Sequence, residues 1–182
     1  MKMYRLFVIL AVAVASLAFC GCSDDDGPTI IHEVSRMNHF LRVDVSSELL
    51  AVADVSCECV NIYGESVTHD FYGTSTLIVD DTWKPDMGKP EPKQVKMTLK
   101  AKPRGDIDTA PSTLRFEATI MSEFTIYDQN NTTIGYNGFE KSMSKTVDAG
   151  AKIAPLLEAN FPVNYSFIIT KGEDGTYGVQ VQ

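Results

Sequence analysis

The chain has 182 residues, 44% of them hydrophobic by type and 22% charged, and a formal charge of −8. That length supplies one domain with a full core, and the acid excess repels phosphate backbones, which argues against a nucleic-acid partner. Four cysteines in two close pairs are too few to frame a disulfide scaffold.

Lys2 and Arg5 precede an apolar run at residues 6–19 that only Ser16 interrupts, the charged and apolar regions of a secretory signal peptide. As a helix the run rises about 21 Å, short of the ~30 Å hydrocarbon core of a bilayer, so it targets the chain for export and does not span. Gly21-Cys22 closes the run. A small residue before an obligatory cysteine resembles the lipobox of bacterial lipoproteins, which implies cleavage before Cys22 and acylation of its sulfur and freed amine. Cys20 is the weaker candidate, because Phe19 before it is too bulky for the small site. The next residues, Ser23-Asp24-Asp25-Asp26, resemble the export signal of Bacteroidota surface lipoproteins, which implies display on the outer leaflet of the outer membrane. The alternative is a solvated acidic tether on a protein that faces the periplasm. Two or three acyl chains, at about 0.8 kcal/mol per buried methylene, make such an attachment effectively permanent.

The chain is thus expected to divide into a signal peptide at residues 1–21, a lipid-anchored acidic tether at 22–37 and a folded domain at 38–182. Loss of Lys2 and Arg5 with the signal leaves 14 basic against 24 acidic residues, a charge of −10.

Beyond the tether the period is two. Leu41, Val43 and Val45 alternate with Arg42 and Asp44, and Val55, Cys57 and Cys59 alternate with Ser56 and Glu58, both as strands with one buried face. Ser47 is placed to cap a helical turn through Leu50. The apolar phase slips from Cys59 to Val60 and Ile62, which predicts a bulge, and residues 63–66 form a turn. Short strands follow at residues 67–71 and 74–79. Residues 84–92 carry Pro85, Gly88, Pro90 and Pro92, which keeps them out of a central strand and makes them a stiff or binding loop. Trp83, the only tryptophan, is expected to pack in the core or at an edge, with a ligand platform as the alternative.

Val95, Met97, Leu99 and Ala101 alternate cleanly with polar neighbours, and seven positions from Leu114 to Ile126 keep one phase. So long a run predicts a bend at residues 121–123, where the strand leaves one sheet for another. Residues 128–131 turn and the chain returns through Ile134 to Phe139. A helix is expected within residues 148–160, starting late with Pro155 in its first turn. Val163, Tyr165, Phe167 and Ile169, a turn at 171–175, and Tyr177, Val179 and Val181 make a closing hairpin. Seven or eight strands with one short helix near the C-terminus imply a mainly β fold: an antiparallel two-sheet β-sandwich of immunoglobulin-like or fibronectin-like layout. From about Leu41 onward the pattern also resembles small Bacteroidota β-sandwich lipoproteins of unassigned role.

Chemistry is sparse. No Gly-x-Ser-x-Gly elbow or comparable signature is present, and His69-Asp70 are strand neighbours that face opposite ways. Cys57 and Cys59 share a face with Cα atoms about 6.5 to 7 Å apart, at or beyond disulfide reach, and read as two small buried hydrophobes; a thiol metal site would need His32, His39 or His69. Asp80-Asp81 and Asp106 with Asp108 are carboxylates of the kind that hold Ca²⁺, Asp128-x-Asn130-x-Thr132 begins like an EF-hand loop but lacks its Gly at the sixth position and its Glu at the twelfth, and all three read more simply as turns. Asp108-Thr109-Ala110 resembles the acceptor sequence for O-glycosylation in Bacteroidota, which implies Thr109 as a modified residue. No catalytic, cofactor or metal site is assigned. The sequence thus reads as a lipid-anchored surface protein, not an enzyme, that binds or scaffolds a glycan or an outer-membrane protein partner through loops 84–92 and 102–111. A hydrolase with a site gathered from distant strands, and a structural subunit that pairs by strand addition through its last strand, are the alternatives.

Overall fold

The computed structural model describes residues 33–105 and 107–182. Among them the period-two pattern is realised as nine strands and two short helices, in the order β1 (Val34–Val45), α1 (Ser47–Val52), β2 (Ala53–Val60), β3 (Ser66–Asp70), β4 (Thr76–Trp83), β5 (Gln94–Pro103), β6 (Leu114–Asp128), β7 (Thr133–Val147), α2 (Ile153–Glu158), β8 (Val163–Lys171) and β9 (Tyr177–Val181). The strands make a two-sheet antiparallel β-sandwich. One sheet runs β4-β1-β6-β7 and the other β3-β2-β5-β8-β9.

Two helical turns carry the chain between the sheets. Ser46, and not Ser47, caps α1: its Oγ accepts from Leu49 N at 3.2 Å and from Glu117 N at 3.0 Å, so the same hydroxyl ties the helix start to β6. Leu49 and Val52 are buried beneath it. α2 begins late, with Pro155 in its first turn as the sequence suggested, and buries Ile153 and Leu157. No helix among the described residues is long and apolar enough to cross a membrane.

The inner faces interdigitate around Phe124, Phe167, Met37, Leu41, Met97, Leu99, Ile120 and Ile126, all below 2% exposed. Trp83 is buried too, and its Nε1–H donates to the Lys89 carbonyl at 3.2 Å, which pins the Pro-rich loop.

Several expectations are corrected. β6 does not change sheets: it pairs with β7 from Leu114 to Tyr127 and with β1 from Ala118 to Asp128, and its ladder with β7 shifts register only between Ile126 and Tyr127. Ser122, at the position of the expected bend, simply occupies an inward site. The bulge after Cys59 is absent, because the β2–β3 ladder runs unbroken to Val60 opposite Ser66. Ile62 is buried by the turn instead, in which Asn61 Oδ1 accepts from Tyr63 N at 3.0 Å and Glu65 N at 2.9 Å. β1 begins at Val34, inside the segment assigned to the tether, β4 continues to Trp83, and β7 continues to Val147.

Candidate functional site

The two margins of the sandwich differ. On one, β7 packs on β9: Asn137 Nδ2 donates to the Val179 carbonyl at 2.9 Å, and the rings of Phe139 and Tyr165 stack with centroids 4.5 Å apart. The last strand has its ladder with β8 alone, and on its other margin the Val179 carbonyl accepts from the Asn137 amide.

On the other margin the edge strands β3 and β4 stand apart, and a cleft of about 320 Å³ opens between them. Register explains its lining. His39 on β1 lies opposite Asp81 on β4, and Cys57 on β2 lies opposite His69 on β3, so alternation turns all four inward. His39, Cys59, His69 and Asp81 reach the cleft wall together with Asp80. Asp80 and Asp81 are therefore strand residues and not turn residues. Burial and the neighbouring Asp80 charge raise the pKa of Asp81, and His69 opposes that shift.

Behind the wall lies a buried polar pair. Ser122 Oγ is placed to donate to the Phe40 carbonyl at 2.8 Å and lies 3.1 Å from His39 Nε2, where the tautomer of the imidazole decides which of the two donates. His39 Nδ1 is buried without a partner among the described residues. Burial alone lowers the His39 pKa to about 4. Ser122 is fully buried, so its hydroxyl is not presented to the cleft as a nucleophile must be. The Tyr165 hydroxyl is also buried without a hydrogen bond of good geometry, and burial pushes its pKa up.

Cys57 and Cys59 are free and buried, as expected, but closer than an ideal strand suggests: their sulfurs are 3.4 Å apart. Cys57 is fully buried and Cys59 is 8% exposed. Either thiol can donate to the other; the shared hydrogen bond, with burial, raises the Cys57 pKa, and it lowers that of Cys59 against burial and the charge of Asp81. Among the described residues no three His, Cys, Asp or Glu side chains converge to hold a metal ion.

A second feature lies on the outer face of the β4-β1-β6-β7 sheet. Of the five large apolar side chains exposed among the described residues, Ile78, Met121 and Tyr136 stand here, at 59%, 38% and 55% exposure. Arg42 is opposite both Ile78 and Met121, half-buried Phe40 is opposite Asp80 and Glu123, and Tyr136 is opposite Thr125. Tyr136 lies along the sheet over Gly138, where an added Cβ would meet its hydroxyl at 3.2 Å. A missing side chain is what lets the ring lie flat. Sequence reasoning passed over this patch because Ile78, Met121 and Tyr136 break the polar phase of three different strands; register places them on one face, Ile78 and Met121 on either side of Arg42 and Tyr136 further along, beside Thr125.

The two loops favoured from sequence are strapped down. In the loop at residues 102–111, Ala110 is buried, its N–H donates to Ala151 O at 2.9 Å, and Asp108 O accepts from Ile153 N at 2.9 Å. Thr109 is exposed and bridges to Lys152. The loop at residues 84–92 holds a 3-10 turn at Pro85–Met87 and is tied through Glu91 to the Tyr177 hydroxyl. Asp128 is a turn residue as expected, its Oδ1 accepting from Asn130 N and Thr132 N. Cys22, Ser23, Asp24, Asp25, Asp26, His32 and Asp106 lie outside the described residues.

Comparison with protein-family models, with curated proteins and with solved structures finds no match for the chain.

Proposed function

We propose that this protein is a lipid-anchored binding module of the outer-membrane surface, held by Cys22, exported on Ser23-Asp24-Asp25-Asp26 and engaging a protein or glycan partner through the outer face of its four-stranded sheet. The observation that carries the reading is the registered patch of Ile78, Met121 and Tyr136 around Arg42 and Phe40. Singly exposed apolar residues are ordinary, whereas a cluster on one rigid face marks an interaction site. Its flatness and its Ile and Met content favour a protein partner over a sugar. Thr109, exposed beside Asp108, fits the role of a surface glycan acceptor.

The test is chemical cross-linking on intact cells that express the full chain. An Ile78→Asp, Met121→Asp double variant is expected to lose at least ~80% of a specific cross-linked product, since charges at a desolvated contact cost several kcal/mol. Tyr72→Ala, at an exposed loop side chain away from the patch, is expected to retain it. Equal products from the double variant and the parent overturn the binding face. A Cys22→Ser chain that still fractionates with membranes overturns the anchor.

A further inference from the structure

The sandwich buries two thiols within contact of each other, one of which reaches a polar cleft. We propose that Cys57 and Cys59 form a dithiol that reacts with small cationic disulfides entering between β3 and β4.

Geometry assigns the roles. The sulfurs are 3.4 Å apart, and a disulfide requires about 2.05 Å, so closure needs a shift of little more than an ångström. Cys59 lines the cleft and Cys57 does not, so an incoming molecule meets Cys59 first. The cleft wall sets the preferred partner. Asp80 and Asp81 line it, so ammonium-bearing disulfides are favoured and dianionic ones repelled.

The exchange balances without another reagent. The Cys59 sulfur, having lost its proton, attacks one sulfur of R–S–S–R, and the R–S⁻ released takes up a proton to leave as a thiol. Cys57 Sγ then attacks Cys59 Sγ, gives up its own proton, and expels the second R–S⁻, which leaves protonated. Two electrons and two protons pass from the protein to the disulfide, two thiols form, and Cys57–Cys59 is closed. Residues two apart on one face of a strand sit at the upper limit of disulfide reach, so the closed form is strained and readily reversed by a mild thiol.

The full chain would be incubated in the folded state with cystamine or with oxidised glutathione, and the state of Cys57 and Cys59 read by mass spectrometry of the digest, separately from Cys20 and Cys22. Loss of two hydrogens from the Cys57–Cys59 peptide, at least ~10-fold faster with cystamine than with oxidised glutathione and with the ratio falling at high salt, is the expected result. Cys57→Ala is expected to accumulate a cysteamine adduct on Cys59, and Cys59→Ala to leave Cys57 unmodified over the same time. Should either variant fold poorly by circular dichroism, the parent chain's two rates decide alone. No reaction of the folded parent, equal rates with both disulfides, or adducts on Cys57 in Cys59→Ala would overturn the proposal.

Discussion

The β7–β9 margin and the β3–β4 margin are the same problem solved two ways. Both are places where a sheet ends and its inward side chains meet the rim of the other sheet. At β7–β9 the meeting is made by the aromatic series Phe139, Tyr165 and Phe167, with centroid spacings of 4.5 and 5.4 Å, and by the Asn137 amide. At β3–β4 the corresponding positions hold Val67, His69, Val79 and Asp81, none large enough to span the gap and two of them polar. Large rings seal a rim because they bring much apolar area and tolerate tilted packing; short and ionisable side chains keep it open because each must stay within reach of water or a partner.

The largest effect is expected on the sealed side. Phe167→Ala, at a fully buried ring, should cost about 3–5 kcal/mol by urea denaturation, whereas Val67→Ala on the cleft should cost about 1 kcal/mol or less because the site is only partly buried. Equal losses would erase the contrast between the margins.

A smaller effect comes from the wall of the cleft. His39 is held neutral, with its pKa lowered to about 4 by burial, while in the unfolded chain it titrates near 6.5. Between those values the unfolded state binds the extra proton, so the stability contribution is complete above about pH 6.5 and declines as pH falls towards 4. The loss by pH 4.5 is about 2–3 kcal/mol. His39→Phe, beside Phe124 and Phe167, should flatten that segment of the stability–pH curve; an unchanged slope would remove His39 as its source.

The smallest effect has the opposite sign. Burial and Asp80 raise the Asp81 pKa, so folding disfavours its charged form. Asp81→Asn should raise the urea midpoint at pH 7, and the gain should vanish as pH falls through the unfolded carboxylate value of about 3.9. A lowered midpoint at pH 7 would mean that the carboxylate stabilises the rim.

Much of the fold was legible because β2, β5, β6 and β8 keep an apolar residue at nearly every inward position. Expectation failed where an inward position is polar. His39 interrupts the phase of Met37 and Leu41, so β1 looked shorter than it is; Asp81 interrupts Val79 and Trp83, so β4 seemed to stop early. Ser122 invited a bend that does not exist. Two of these three exceptions, His39 and Asp81, line the cleft, and Ser122 holds the third place behind it. β7 was cut short at Phe139 for a different reason: as an edge strand it is mostly exposed beyond that point, and Lys141, Ser142 and Ser144 carry no burial signal. The nearness of the two sulfurs was invisible to spacing alone, since rotamers and not Cα positions close the last distance.

The first described strand is not at a rim. β1 runs between β4 and β6 in the middle of its sheet, so a pull arriving at the N-terminal end enters the molecule through a strand that is hydrogen-bonded on both flanks. Hydrogen bonds on both flanks lie across that direction and must yield together in shear, where an outermost strand would peel one bond at a time. Under the proposed anchor at Cys22, such a load would fall on both ladders of β1 at once.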